Sequence, residues 1–279
     1  MKILTVATHS QNMFPFLKES CERFGHELIV LGWGDAYKNH HWRDELVSQT
    51  IAEFDDDEII CFVDGFDSMV CATPDEMLAE LTRMDSDFVM SVDGHMSELR
   101  WRQYPLWCYF YMRCFPAIEG HYVNTGMYIG KVKRIKAWIE SVDEHREDTK
   151  SNQLAWIRCM QNTPKSTWPT LDSDKRLFYN HMEIFSHDSA VTPKPDGTIM
   201  SQKAQRVMVI SLPGFRDATP LLKVIYGSDV QAPVTSVKWS RGKKVAYYLH
   251  PFRYDISVVV IIILAFVIGI CVWKSKIKK

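Results

Sequence analysis

The stretch EIICFVDGFDSMV, residues 58–70, is an apolar run that stops on two acids, Asp64 and Asp67. The run reads as a buried strand, because an unbroken series of apolar side chains suits a strand covered on both faces, as in a parallel sheet. Ligands of such sheets gather beyond the carboxyl ends of strands, where the two acids fall. A D-x-x-D at that place can turn two carboxylates toward one hard cation. Mn2+ and Mg2+ prefer oxygen ligands and can bridge a diphosphate. The same pair also suits the capping of a turn, so the motif alone leaves both readings open.

The segments on either side support the sheet. KILTVAT (2–8) and ELIVLGWG (27–34) read as buried strands, and DFVMSV (87–92) as another. Between the first two, Phe14, Leu17, Cys21 and Phe24 recur at helical spacing, with Gly25 as a stop. WRDELVSQTIAEF (42–54) is a second helix. TPDEMLAELTRM (73–84) is a third, with Thr73 as N-cap, Pro74 in the first helical position and Glu76 completing a capping box. The aromatic- and Arg-rich residues 93–121 read as loop. YVNTGMYIG follows, then a helix over about 131–147, the helix NQLAWIRCMQN (152–162) and the strand RVMVIS (206–211). Strands alternating with helices at these lengths predict an α/β fold.

Composition narrows the function. Lys+Arg number 33 against Asp+Glu 34 in 279 residues, a net charge of −1 that gives no electrostatic reason to expect nucleic acid as a partner. The seven cysteines form no C-x-x-C pair, which speaks against a zinc ribbon and for buried free thiols, with a Cys108–Cys114 disulfide left open. There is no G-x-S-x-G elbow, no P-loop and no G-x-G-x-x-G.

Residues 256–273, ISVVVIIILAFVIGICVW, are uncharged and followed by KSKIKK. Such a run is long enough to cross a bilayer as a helix, and AYYLHPFRYD before it has the aromatic and basic character of a membrane interface. The opening MKILTVATHS turns polar too soon for a signal peptide. The expectation is a single-pass membrane protein, tail-anchored, with the domain before the span in the cytosol and the opposite topology left open.

Other residues carry two readings each. Asp93, at the end of the strand SVDGH, suits a general base or a sugar-hydroxyl acceptor, and equally a turn cap. Trp101, Trp107, Tyr109 and Tyr111 suit a sugar-stacking wall, core packing or membrane contact. His40 and His41 read as solvated, and His187 and Asp188 as a turn.

In this order and with similar spacing, several segments resemble the glycosyltransferase domain of the procollagen-lysine (collagen lysyl hydroxylase/glycosyltransferase) family. LTVATHSQNMFPFLKES is similar to its first strand and helix, and LGWGDAYKN to its L-G-x-G-x-x-W-K-G loop. FVDGFDSMV resembles its F-V-D-x-Y-D motif, VNTGMYIG its L-N-S-G-G-x-I-G, SNQLAW its D-D-Q segment and LDSDKRLFYN its L-D-x-x-x-x-I-F-Q. The resemblance implies a GT-A, Rossmann-like domain with a mixed, mostly parallel sheet flanked by helices over residues 1–190. Residues 191–250 would complete or pack on it, ahead of the transmembrane helix (256–273) and basic tail (274–279). It implies a Mn2+ (or Mg2+) ion on Asp64 and Asp67, and a UDP-sugar as donor. Thr5, Val6, Thr8 and Tyr37 would lie along the nucleoside, Asn124 and Gly126 in the sugar pocket, and Gln153 on the acceptor side.

Three departures stand out. The family's G-G-G-x-K turn is replaced by HHWRDEL, with Arg43 as the substitute cation for the phosphates. The acids before Gln153 are Ser151 and Asn152, so Asn152 occupies the place of a catalytic carboxylate. Ser211 stands where a late metal-binding His is expected. The expected function is Mn-dependent transfer of a hexose to a hydroxyl of a protein or glycan. The alternative is a catalytically degenerate sugar-nucleotide-binding or scaffolding module on a membrane.

Overall fold

In the computed structural model, which describes residues 1–146, 149, 151–182, 184–185, 191–201, 205–213 and 218–230, strand β1 (Lys2–Val6) lies one place in from the edge of a mixed sheet. It pairs in parallel with β2 (Glu27–Leu31) and β3 (Ile59–Val63). The described residues fall within one compact unit, Met1–Ser236.

Strand β4 (Ser68–Val70) follows β3 after a short turn, and β5 (Phe88–His95) comes next in the chain. With β6 (His121–Lys131) and β7 (Thr170–Leu171) the main sheet has the order β2-β1-β3-β6-β5-β7. β6 runs antiparallel to both its neighbours, whereas β7 is parallel to β5. The chain leaves the C-terminal end of β5 and re-enters at that same end, between β3 and β5, so β6 runs antiparallel to both. Two three-stranded sheets complete the β structure. One, β4-β12-β8, joins β4 to β8 (Phe178–Asn180) through β12 (Val209–Ser211). The other contains β9 (Val191–Pro193), β10 (Ile199–Ser201) and β11 (Arg206–Val207). RVMVIS is therefore two strands, broken at Met208 and shared between two sheets.

The helices are α1 (Phe14–Arg23), α2 (His40–Ile51), α3 (Pro74–Arg83), α4 (Pro105–Cys114), α5 (Val132–Asp143), α6 (Asn152–Asn162) and α7 (Thr219–Tyr226). α3 begins with the expected capping box: Glu76 N donates to Thr73 Oγ1, and Thr73 N donates to Glu76 Oε2 at 2.8 Å. α4 corrects the reading of residues 93–121 as loop. Its apolar residues are not gathered on one face: Cys108 is buried, while Leu106, Trp107, Tyr109 and Met112 are exposed. A periodic signal was therefore lacking.

Alternation along the central strands sends side chains to both faces of the sheet. Leu4, Ile60 and Phe62 join Val47, Ile51, Ile135, Ile139 and Trp156 on the α2, α5 and α6 side. Ile3, Cys61 and Val63 join Leu17, Cys21, Met77 and Leu81 on the α1 and α3 side. Both faces are dry, which is why the strands read as continuous apolar runs. Full burial of a side chain such as Phe62 stabilises the fold by about 1.5–3 kcal/mol. The six described cysteines are free thiols, including Cys108 and Cys114.

Among the described residues, no helix is long and apolar enough to cross a membrane. The run 256–273, the basic tail, His187 and Asp188 lie outside the described residues.

Candidate functional site

Asp64 is the first residue beyond β3, and its amide donates to the Gly126 carbonyl at 2.8 Å. Gly126 is needed there for space: a Cβ at this position would lie 2.5 Å from Asp64 Oδ2 and 2.8 Å from Asn124 Oδ1. Gly65 fits tightly for the same reason, since a Cβ would come within 2.8 Å of Thr5 Oγ1.

Arg43, in the first turn of α2, donates from Nη1 to Asp64 Oδ1 at 3.0 Å and from Nη2 to Thr125 Oγ1 at 2.9 Å. Its guanidinium also lies over the Phe62 ring, 5.1 Å from the centroid. Burial disfavours the charge on Arg43, but Asp64 and Asp44 outweigh that and raise its pKa further. Asp64 thus already has a cation beside it, and that cation is part of the chain.

Asp67 sits at the start of the small sheet. Its carbonyl accepts from Leu212 N at 2.8 Å, and its carboxylate accepts from the Ser68 and Ser211 hydroxyls. Ser211 pairs with Ser68 on one side and with Asn180 on the other, and all three side chains are buried. Burial, then the nearby Asp64 charge, push the Asp67 carboxyl up to about 8. The two hydroxyls and Arg43 act in the opposite sense. Ser211 therefore stands against Asp67.

Asp93 lies within β5, in a stretch where the β5–β6 register shifts between Met90 and Val92 and again between Val92 and Gly94. Such irregularities re-aim side chains. Asp93 Oδ1 accepts from Asn124 Nδ2 at 2.8 Å, Oδ2 accepts from Tyr111 OH, and the backbone carbonyl accepts from Lys175 Nζ at 2.9 Å. Asn124 in turn receives the Gly126 amide on Oδ1 at 2.6 Å. Asp93, Asn124, Gly126 and Asp64 form one connected series. Asp172 is buried and accepts from the amides of Arg176, Leu177 and Phe178, and so caps a turn. Asp174 lies in that turn and pairs with Arg176.

Behind Arg43 is a second carboxylate. Asp44 is wholly buried; its Oδ2 accepts from Trp156 Nε1 at 3.0 Å and its Oδ1 from Asn152 Nδ2 at 3.4 Å. Arg43 Nε is 3.5 Å from Asp44 Oδ1. Asn152, expected in the place of a catalytic carboxylate, is thus buried with its side-chain amide on Asp44.

The remaining expected residues are spread around this centre. Thr5 is buried and its hydroxyl donates to the Val63 carbonyl at 2.7 Å, so its side chain ties β1 to β3. Val6 and Thr8 are half-buried, with the Thr8 hydroxyl 2.8 Å from His9 Nδ1. Tyr37 is 54% exposed and its hydroxyl meets His40 Nδ1 at 3.0 Å. Gln153 is half-buried in the first turn of α6. His41 Nε2 lies 2.7 Å from the Thr149 carbonyl. Tyr111 packs on Tyr122 and Phe185, while Trp101, Trp107 and Tyr109 are exposed. Asp44 and Thr125 were not singled out from the sequence: Asp44 is simply the residue after Arg43, and Thr125 meets Arg43 only through the fold.

Among the described residues no group of three or more His, Cys, Asp or Glu side chains is arranged to hold a metal. Asp64 and Asp67 supply two carboxylates under mutual repulsion, which suits a hard cation that takes its other ligands from phosphate oxygens and water. The donor set fits Mn2+ or Mg2+ in that limited sense.

Residues 1–213 match the family model described as PLOD GT domain. No curated protein matches the chain. Solved structures similar to it include a glycosyltransferase involved in glycosylation of the major capsid of PBCV-1, at 10% identity and a TM-score of 0.43, covering 77% of this chain and 93% of that one. The galactosyltransferase LgtC, in complex with donor and acceptor sugar analogs, is 12% identical with a TM-score of 0.41 and coverage of 77% and 88%. A197 from STIV is 10% identical with a TM-score of 0.38 and coverage of 74% and 92%.

Proposed function

Since the chain belongs to the family of PLOD glycosyltransferase domains, we propose that it moves a hexose from a UDP-sugar to a hydroxyl of a protein or glycan, aided by Mn2+ or Mg2+. The observation that carries this reading is the Asp64–Asp67 pair at the carboxyl end of β3, joined through Gly126 and Asn124 to Asp93. Asp64 and Asp67 would hold the cation, whose chemistry is to neutralise charge developing on the departing diphosphate. Arg43 offers guanidinium donors of the kind that suits phosphate. Asp93 orients the Asn124 amide and the Tyr111 hydroxyl, the groups available to sugar hydroxyls. The Val6 and Thr8 segment and Tyr37 are the proposed nucleoside side, and Gln153 the acceptor side. Residues 256–273 would hold the protein on a membrane with this domain in the cytosol, a topology that protease protection of sealed vesicles tests.

Ser211 and Asn152 favour a second reading, in which the site binds a sugar nucleotide without turnover. Calorimetric titration of the full chain with UDP and Mn2+, followed by a UDP-glucose and UDP-galactose hydrolysis assay, separates the two. Binding and turnover that both vanish in Asp64→Ala/Asp67→Ala support the transferase. Binding without turnover supports the second reading, and absence of UDP binding sinks both.

A further inference from the structure

Two of the departures from the family pattern, the HHWRDEL segment and Asn152, meet at one buried carboxylate. Asp44 touches Arg43 on one side and Asn152 and Trp156 on the other. Arg43 is thereby bracketed by Asp44 behind and Asp64 in front, with Thr125 Oγ1 fixing its second terminal nitrogen. Its side chain is 13% exposed, against 39% for Asp64. The guanidinium is therefore built into the floor of the site, and the carboxylate it holds is the one that opens to solvent.

A divalent ion coordinated by an oxygen sits at about 2.0–2.2 Å from it. Bound to Asp64 Oδ1, such an ion would stand no more than about 5 Å from Arg43 Nη1, given the 3.0 Å ion pair on the same oxygen. Two positive centres would then share one oxygen in a partly dry pocket, where charges are poorly screened. Asp44 offsets only part of this, since its own charge is divided with Asn152, Trp156 and Arg146.

We infer that Arg43 is a resident counter-ion that keeps divalent metal off Asp64 until the donor's diphosphate arrives. The inference rests on the transferase reading above and goes beyond it by setting the order of events. The diphosphate brings negative charge that both cations can share, and a guanidinium has five N–H donors, of which two are hydrogen-bonded here. Cation and donor then enter together, and Arg43 is a positioning residue for both.

The test is Mn2+ binding to the full chain without nucleotide, followed by electron paramagnetic resonance, in the wild type, Arg43→Gln and Arg43→Lys. Arg43→Gln is expected to bind Mn2+ about tenfold more tightly than wild type, and the strengthening of Mn2+ binding by UDP is expected to shrink by a similar factor. Arg43→Lys, which keeps the charge, should stay near wild type. Unchanged or weaker Mn2+ binding by a folded Arg43→Gln protein overturns the inference. Should Arg43→Gln fail to fold, Thr125→Val, which removes only the acceptor of Nη2, is expected to tighten Mn2+ binding several-fold, and no change there overturns it equally. A wild type that binds Mn2+ but no UDP defeats the transferase reading instead, so the two failures are distinct.

Discussion

The Ser211 hydroxyl hydrogen-bonds the Asp67 carboxylate from the middle strand of the small β4-β12-β8 sheet, where Ser211 pairs directly with Ser68. A residue far along the chain is thus part of the acidic site. The contact shows how the small sheet serves the main one: β12 carries a side chain to the turn that follows β3. Serine gives a hydrogen bond where an imidazole could ligate a cation, and among the described residues no third His, Cys, Asp or Glu is grouped with the two carboxylates.

Ser211→His is therefore expected to tighten Mn2+ binding to the nucleotide-free protein by at least about tenfold, or about 1.4 kcal/mol. The larger ring at a buried position should also lower metal-free stability by about 1–3 kcal/mol. Mn2+ titration together with urea unfolding checks both halves. Unchanged metal affinity would mean that the imidazole at 211 does not reach the pair.

Gly126→Ala should spare the fold more than the chemistry. The new methyl would lie 2.5 Å from Asp64 Oδ2, so the carboxylate must turn aside, and Arg43 and Asn124 with it. A displacement of about 1 Å costs on the order of 100-fold in rate, whereas overpacking costs about 1–3 kcal/mol in stability. UDP-sugar turnover beside a melting curve distinguishes this from general unfolding; equal turnover in the two proteins would defeat it.

The parts of this arrangement that could be read from the sequence are local. The end of β3 before Asp64 follows from an apolar run that stops, and the start of α3 from a Thr-Pro-x-Glu box within four residues. Pairings across the fold were not legible. Arg43 reads as a free cation on a helix, and nothing in its neighbours says that it turns onto Asp64 and not onto a ligand. The burial of Asn152 depends on Asp44, which precedes it by three α-helices and four strands. β6 runs antiparallel because of where the chain returns, a property of the connection that the composition of the strand does not carry. α4 escaped notice because its aromatic residues lie on several faces.

Trp156→Phe isolates the support behind the site. The substitution keeps most of the ring that packs against Tyr128 and Trp138, but removes the Nε1 donor to Asp44. A buried carboxylate that loses a partner costs about 1–3 kcal/mol. Urea unfolding should show that loss, and the same substitution placed on Asp44→Asn should cost less, because the charge that needs the donor is gone. Equal losses in both backgrounds would assign the effect to packing alone.

The last prediction concerns pH and lies away from the acidic site. His26 Nε2 is 2.8 Å from the Ala72 carbonyl, which ties the turn after α1 to the turn before α3. Its Nδ1 is buried with no hydrogen-bond partner, so a second proton would be stranded there. Burial accordingly lowers the His26 pKa below the usual 6.5, with the Ala72 carbonyl acting in the other direction. The unfolded chain then binds this proton more readily than the folded one. The contribution to stability is fully present above about 6.5, and it is lost as pH falls through that value toward the lowered folded one. His26→Gln keeps an N–H for Ala72 and cannot titrate, so its urea midpoint should fall less than that of the wild type between pH 7.5 and 5.5. A parallel decline in the two proteins would show that other groups govern the acid limb.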